Sequence, residues 1–159
     1  MTALSSPASK RLLHELQAYA QEPNPALLHL GPVDDEQLLH WRAVLKGIDG
    51  TPYEGGLWEL DIRISESYPM APPDVRFLTR ICHPNVNFKT GEICLDLLKS
   101  AWTPAYSIAA TLNAIHMLLT DPGVDSPLNV DIAALLRQGD AVGGESLVRY
   151  YTAEERWTG

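Results

Sequence analysis

The run Ile81-Cys82-His83-Pro84-Asn85-Val86-Asn87-Phe88-Lys89-Thr90-Gly91-Glu92-Ile93-Cys94-Leu95-Asp96 decides how this chain is read. It holds both cysteines, and no other stretch is as dense in groups that can do chemistry. Pro84 fixes its own φ and pushes His83 towards extended backbone, so His83-Pro84-Asn85 reads as a stiff turn. Lys89-Thr90-Gly91 is a second turn signal, with Gly91 free to take positive φ. Cys94 follows, between two apolar residues. A side-chain amide on a stiff turn and a thiol further along the loop form a pair suited to acyl transfer. The thiolate attacks a carbonyl, and the amide N–H donates to the oxyanion that develops.

Upstream of this run the pattern is one helix and then strands. Met1 to Ser6 is a short polar tail, and Ser6-Pro7 starts a helix with a capping residue and a proline at the first position. Leu12, Leu16 and Tyr19 recur at helical spacing, and Pro23 and Pro25 end the helix. Leu27 to Leu30 predicts a short strand. Leu39, Trp41, Ala43 and Leu45 then alternate with His40, Arg42, Val44 and Lys46. Trp58, Leu60, Ile62 and Ile64 alternate with Leu57, Glu59, Asp61 and Arg63, and Val75 to Leu78 is a fourth run. Period two over successive segments predicts an antiparallel meander, with a Gly- and Pro-rich loop from Gly47 to Gly56. Tyr68-Pro69-Met70-Ala71-Pro72-Pro73 suits neither a helix nor a central strand, and reads as a rigid corner able to hold a cis bond. Met70 is core filler or a presented residue, and the proline-stiffened loop favours presentation.

Downstream, Trp102 and Pro104 precede a helix bearing Ile108, Leu112, Ile115 and Leu119, stopped by Asp121-Pro122-Gly123. Asp125-Ser126-Pro127-Leu128 starts another helix, ended by Gly139. Asp140 caps a last one that carries Leu147 and Tyr151. The expected fold is a single α+β domain over residues 1–159: an N-terminal helix, a four-stranded antiparallel meander, the loop segment around Cys94, and three C-terminal helices.

Composition narrows the function classes. A net charge of -8 over 159 residues argues against non-specific nucleic-acid binding, which needs a basic face. No apolar run is long enough to span a bilayer, and Lys10 and Arg11 are not followed by the apolar stretch of a signal peptide. Two cysteines do not make the disulfide framework of a small secreted domain. The expected compartment is cytosol or nucleus. Work at a membrane then needs a partner rather than direct insertion.

Each chemical group also has a bland role. Cys94 can be a small buried apolar residue. Cys82, His83 and Cys94 supply at most three metal ligands, without the spaced pairs of a zinc site, so no metal is expected. A Cys82–Cys94 disulfide would consume the nucleophile and is disfavoured in cytosol. A cysteine hydrolase needs a histidine base near the thiol. His83 is nearest in sequence, but its place in a proline turn favours a structural role. Asn85 can stabilise an oxyanion or merely brace the loop through backbone hydrogen bonds, and the two roles can coexist.

His83-Pro84-Asn85, then Gly91-Glu92-Ile93-Cys94-Leu95-Asp96, then Trp102-Thr103-Pro104-Ala105 resembles the active-site signature of ubiquitin-conjugating enzymes. The resemblance runs from about Lys10 to Trp157. Within the family, Asp131 to Asp140 and Val148-Arg149-Tyr150-Tyr151 are most similar to the fungal peroxisomal branch. The resemblance implies that Cys94 accepts ubiquitin as a thioester from an activating enzyme and passes it on with a RING-type ligase. No cofactor is implied, because ATP is consumed one step earlier. A thioester keeps the acyl group activated, and exchange between two thiols is nearly isoenergetic. The family uses the histidine at His83 to shape the loop, not as a base. It also implies that Lys10 and Arg11 meet the activating enzyme and the ligase. Pro69 and Met70, with Pro104 and Ala105, would form the ligase-docking surface. The peroxisomal branch further implies a membrane-anchored peroxin as tether, a position on the cytosolic face of the peroxisome, and the import receptor as substrate.

Two departures stand out. The interval from Asn85 to Cys94 is one residue longer than in many members. Ser126 stands where many carry an aspartate that orients the attacking lysine, and Asp125 or Asp96 could compensate. The rival from another class is a non-catalytic scaffold of the same fold that binds ubiquitin or a partner. Such homologues usually lack the cysteine.

Overall fold

A computed structural model of the chain describes residues 6–121 and 141–159. Helix α1 spans Pro7–Gln21. Ser6 takes extended backbone and its side chain accepts the Ser9 N–H, so it satisfies one of the donors that a helix start leaves open. Ser6 is buried, and so belongs to the helix rather than to the polar tail in which the sequence reading also counted it. The helix stops at Glu22, the residue before Pro23, because a proline disfavours helical backbone in its predecessor. Ala8 and Leu12 are fully buried against the rest of the core.

Four strands follow: β1 (Leu27–Asp34), β2 (Gln37–Lys46), β3 (Leu57–Arg63) and β4 (Asp74–Phe77). They form one sheet in the order β1-β2-β3-β4, and every neighbouring pair is antiparallel. The meander read from the alternation is therefore present. β1 is longer than the expected Leu27–Leu30 and runs through Pro32. Proline is tolerated there because β1 is an edge strand and Pro32 pairs on one side only, with Trp41. Trp41, Ala43, Leu45, Trp58, Leu60, Ile62, Val75 and Phe77 line the buried face. Val44 falls on the opposite, polar face by the alternation, yet it is buried too. It sits on a central strand between His29 and Glu59, flanked on both sides.

Beyond β4 the chain runs through the Cys94 segment, a short 3-10 turn at Asp96–Leu98 and helix α2 (Ile108–Leu118). Ser107 caps α2 by accepting the Ala110 N–H. Ile108, Leu112, Ile115 and Leu119 join the core cluster on the spacing read from the sequence. A third helix, α3, spans Ala141–Glu154, with Val148 and Thr152 buried and Leu147 and Tyr151 packed on the core. After it, the Trp157 N–H donates to the Leu57 carbonyl and the Arg156 Nε to the Gly55 carbonyl. The expected helix from Asp125 to Gly139, and the cap at Asp140, lie outside the described residues.

The polar face of the sheet carries an ion network. Asp61 accepts from His40 Nε2 at 2.6 Å, Arg42 Nε at 2.7 Å and Arg63 Nε at 2.9 Å. Burial on its own would raise the Asp61 pKa, but the hydrogen bonds from His40, Arg63 and Arg42 outweigh it and hold the carboxyl down at about 2. A carboxyl depressed on folding adds stability that is complete above its unfolded value and is lost as the pH falls through its folded value. Wild-type protein should therefore lose part of its thermal stability between about pH 4 and pH 2, and Asp61→Asn should lack that component. Melting temperatures measured across this range for both proteins test it; superimposable pH profiles would refute the assignment to Asp61.

Candidate active site

The segment from Asn85 to Cys94 closes into a small hairpin. The Cys94 N–H donates to the Asn85 carbonyl at 2.8 Å, and Val86 bridges Ile93. The Asn87 N–H donates to the Glu92 carbonyl at 2.9 Å, and the Gly91 N–H returns to the Asn87 carbonyl at 2.8 Å. The Asn87 side-chain oxygen accepts from Lys89 N–H and Thr90 N–H, which fixes the tip in an Asx-type turn. Gly91 takes the positive φ of 76° that the turn requires. With the longer Asn85–Cys94 interval, the thiol-bearing residue sits opposite Asn85.

Contacts from several elements hold the hairpin to the body. The Phe77 N–H at the end of β4 donates to the Gly91 carbonyl at 3.0 Å. The Phe88 ring packs edge-on against Tyr151 of α3 with centroids 5.0 Å apart, and the Arg80 guanidinium lies 5.5 Å from its centroid. His83 ties the base of the hairpin to the end of α2. Its Nε2–H donates to the Leu118 carbonyl at 2.7 Å, and its Nδ1 accepts the Asn85 N–H at 3.0 Å. Burial pushes the His83 pKa down to about 4, so the ring is neutral at physiological pH. Both ring nitrogens are occupied by backbone groups, an arrangement suited to shaping the loop rather than to taking a proton from a thiol.

The two thiols differ in setting. Both are free, but Cys82 is buried and Cys94 is half-buried. Burial pushes the Cys82 thiol up to about 11, and its carbonyl accepts the Tyr53 hydroxyl. Asn85 is buried at 3% exposure, directly across from Cys94. Asp96 is exposed and opens the 3-10 turn two residues after Cys94. Asp125 and Ser126 lie outside the described residues. Among the described residues no group of three or more His, Cys, Asp and Glu side chains could hold a metal ion.

The docking candidates also converge. Met70 is 76% exposed, on the loop that follows the cis Tyr68–Pro69 bond. Pro104 and Ala105 are exposed, and Pro69 is half-buried. The Trp102 indole N–H donates to the Pro69 carbonyl at 2.8 Å and joins the two loops. Lys10 is exposed, whereas Arg11 turns inward and donates to the Pro104 and Tyr106 carbonyls. Sequence reasoning missed Glu15, Tyr68, Phe88 and Tyr151. Only Arg11 and Glu15, at i and i+4 on a predicted helix, carried a visible signal.

The ubiquitin-conjugating enzyme family model matches residues 11–150. The chain belongs to the ubiquitin-conjugating enzyme family. The ubiquitin-conjugating enzyme E2 PEX4 of Gibberella zeae is 49% identical over 152 residues, covering 94% of this chain and 88% of that protein. Protein PEROXIN-4 of Arabidopsis thaliana is 52% identical over 119 residues, which is 75% of this chain and 76% of that protein. The crystal structure of the H. polymorpha ubiquitin conjugating enzyme Pex4p, in complex with the soluble domain of Pex22p, superposes with a TM-score of 0.90. That protein is 36% identical, and the match covers 96% of this chain and 100% of that one. The α+β architecture is thus that of a conjugating enzyme. In this conjugating enzyme, as in the sequence reading, the nucleophile candidate stands on the segment that the signature marks.

Gly91 is the backbone constraint on the site. A Cβ there would meet the Phe77 carbonyl oxygen at 1.9 Å, whereas a Cβ on Gly50, which also has positive φ, would meet nothing within 4 Å. Gly50→Ala should therefore cost only the strain of a left-handed residue, about 1–2 kcal/mol. Gly91→Ala should cost more than that and lower the yield of active enzyme. Equal losses for the two variants in urea titration would show that the close approach is not limiting.

Proposed function

We propose that Cys94 receives ubiquitin as a thioester from the activating enzyme and transfers it, with a RING-type ligase, to an acceptor on a substrate. The observation that carries this is the hairpin, which holds a half-buried thiol directly across from Asn85 while the second thiol is buried. In the charging step, the Cys94 sulfur attacks the thioester carbonyl of the loaded activating enzyme. A new C–S bond forms, and the activating enzyme's thiolate leaves and takes up the proton. In discharge, an acceptor amine or thiol attacks the same carbonyl. The Asn85 amide donates to the tetrahedral oxyanion, and the Cys94 thiolate leaves. His83 holds the hairpin against α2 and transfers no proton. Asp125, Ser126 and Asp96 are the candidates for orienting the acceptor.

The likeness to the PEX4 proteins supports a role in peroxisome biogenesis. On this reading the import receptor is the substrate. The complex of Pex4p with the soluble domain of Pex22p supports a membrane-anchored peroxin as tether on the cytosolic face of the peroxisome. Among the described residues no helix is long and apolar enough to cross a membrane.

Incubation with activating enzyme, ubiquitin and ATP should give an adduct on a non-reducing gel that thiol reductant removes. Cys94→Ser should form a reductant-stable ester or no adduct, and Cys82→Ala should still charge. An adduct that survives in Cys94→Ala and vanishes in Cys82→Ala would overturn the assignment.

Asn85→Ala should slow discharge of charged enzyme to free amine by about 10²–10³-fold, the scale of one oxyanion donor, while charging proceeds. If both steps fall together with the melting temperature, Asn85 acts only as a brace.

A further inference from the structure

No step above uses Glu15, a carboxylate on α1 whose side chain is only 9% exposed. All its partners are donors. Its Oε1 accepts the Ile108 N–H, the first residue of α2, at 2.7 Å. Its Oε2 accepts Arg11 Nε at 2.9 Å and the Tyr68 hydroxyl. Arg11 carries the connection onward, with one terminal nitrogen donating to the Pro104 carbonyl at 3.0 Å and the Tyr106 carbonyl at 2.9 Å. The Arg11 guanidinium also lies 5.8 Å from the centroid of the Tyr68 ring. Tyr68, Trp102 and Tyr106 continue as a row of tilted rings, 5.9 and 5.8 Å apart. One carboxylate thus touches α1, the start of the proline loop at Tyr68 and the far end of the loop that carries Pro104 and Ala105.

An apolar residue at this place would hold α1 to the core as well. It would not fix direction. Burying a charge is costly unless each lone pair is matched, and here three donors converge on two oxygens. We propose that Glu15 is a positioning residue for ligase-dependent transfer: it sets the spacing of the two proline loops so that Met70 and Ala105 present one surface to a RING domain. This rests on the reading of that surface as the ligase-docking one. Glu15 acts through Arg11, Tyr68 and Ile108.

The test follows from the donor set. In Glu15→Gln the shape is kept, but the amide NH₂ must face the Ile108 N–H or the Arg11 and Tyr68 donors, so one arm of the network is repelled. The variant is loaded with ubiquitin to completion and discharged to free cysteine. The discharge is run with and without a RING-domain fragment chosen because it accelerates the wild-type enzyme. The expected result is a fall of about fivefold to tenfold in the ratio of stimulated to unstimulated rate, the scale of losing an interface anchor. The unstimulated rate should stay within about twofold of wild type. A wild-type ratio, or parallel loss of both rates, overturns the proposal. If Glu15→Gln does not fold, Tyr68→Phe removes one donor and keeps the ring row. Its ratio should fall by about twofold to threefold, and an unchanged ratio overturns the proposal equally. Met70→Ala separates the two layers. Lost stimulation in Met70→Ala with none lost in Glu15→Gln defeats only the role of Glu15. Full stimulation in Met70→Ala defeats the docking surface and the proposal together.

Discussion

The approach of Gly91 to Phe77 is the constraint on which the site depends. The two backbones meet so closely that a side chain at position 91 would overlap the Phe77 carbonyl. That contact joins the edge of the sheet to the returning arm of the hairpin. With the arm fixed, the pairing of Cys94 with Asn85 follows from register alone. The core contributes rigidity: β4 is held by β3, which is held by β2, so the Phe77 carbonyl is a fixed reference for the proposed nucleophile. The proposed chemistry asks little of the side chains nearby. Thiol exchange needs no strong base, and the one histidine in the loop is neutral and bonded to backbone.

The second organised region is built on a different principle. The hairpin is positioned by backbone pairing, whereas the proline loops are positioned by side chains that reach across from a helix. Pro69, Pro72 and Pro73 limit what the first loop can do, and the Trp102 indole and the Arg11 guanidinium complete the fixing by bonding to loop carbonyls. Carbonyls are sequence-independent acceptors. The residues that project outwards, such as Met70, are thereby left without a structural duty and can be shaped by a partner.

Much of this was legible in the sequence because the signals are local. Helix α1, the meander and α2 follow from Ser6-Pro7, from period two around Trp41 and Trp58, and from the Ile108-Leu112-Ile115-Leu119 spacing. The reach of β1 beyond Leu30 was not legible, since a proline inside a run argues against a strand until its edge position is known. The burial of Val44 depended likewise on having a neighbour strand on each side. At the site, the signature marked Cys94, Asn85 and His83 at once, but their mutual hydrogen bonds needed the folded turn. Arg11 read as a partner-facing cation, because nothing local shows a carbonyl 93 residues away waiting for it. Phe88 and Tyr151 lie far apart in the sequence, so their contact is purely tertiary.

The proline in β1 has a consequence for how the chain avoids its own copies. An outermost strand offers a row of unused amides and carbonyls on which another chain can build a ladder. β1 is such a strand, and it also exposes Leu28 and Val33 at 55% and 53%. Pro32 removes one donor from that row, and the irregular pairing between Pro32 and Asp34 interrupts its repeat. A crowded compartment in which newly made molecules meet before they find their partners is where such an interruption matters. The same proline that shortens the apparent strand in the sequence leaves the edge of the sheet a less regular template for another strand.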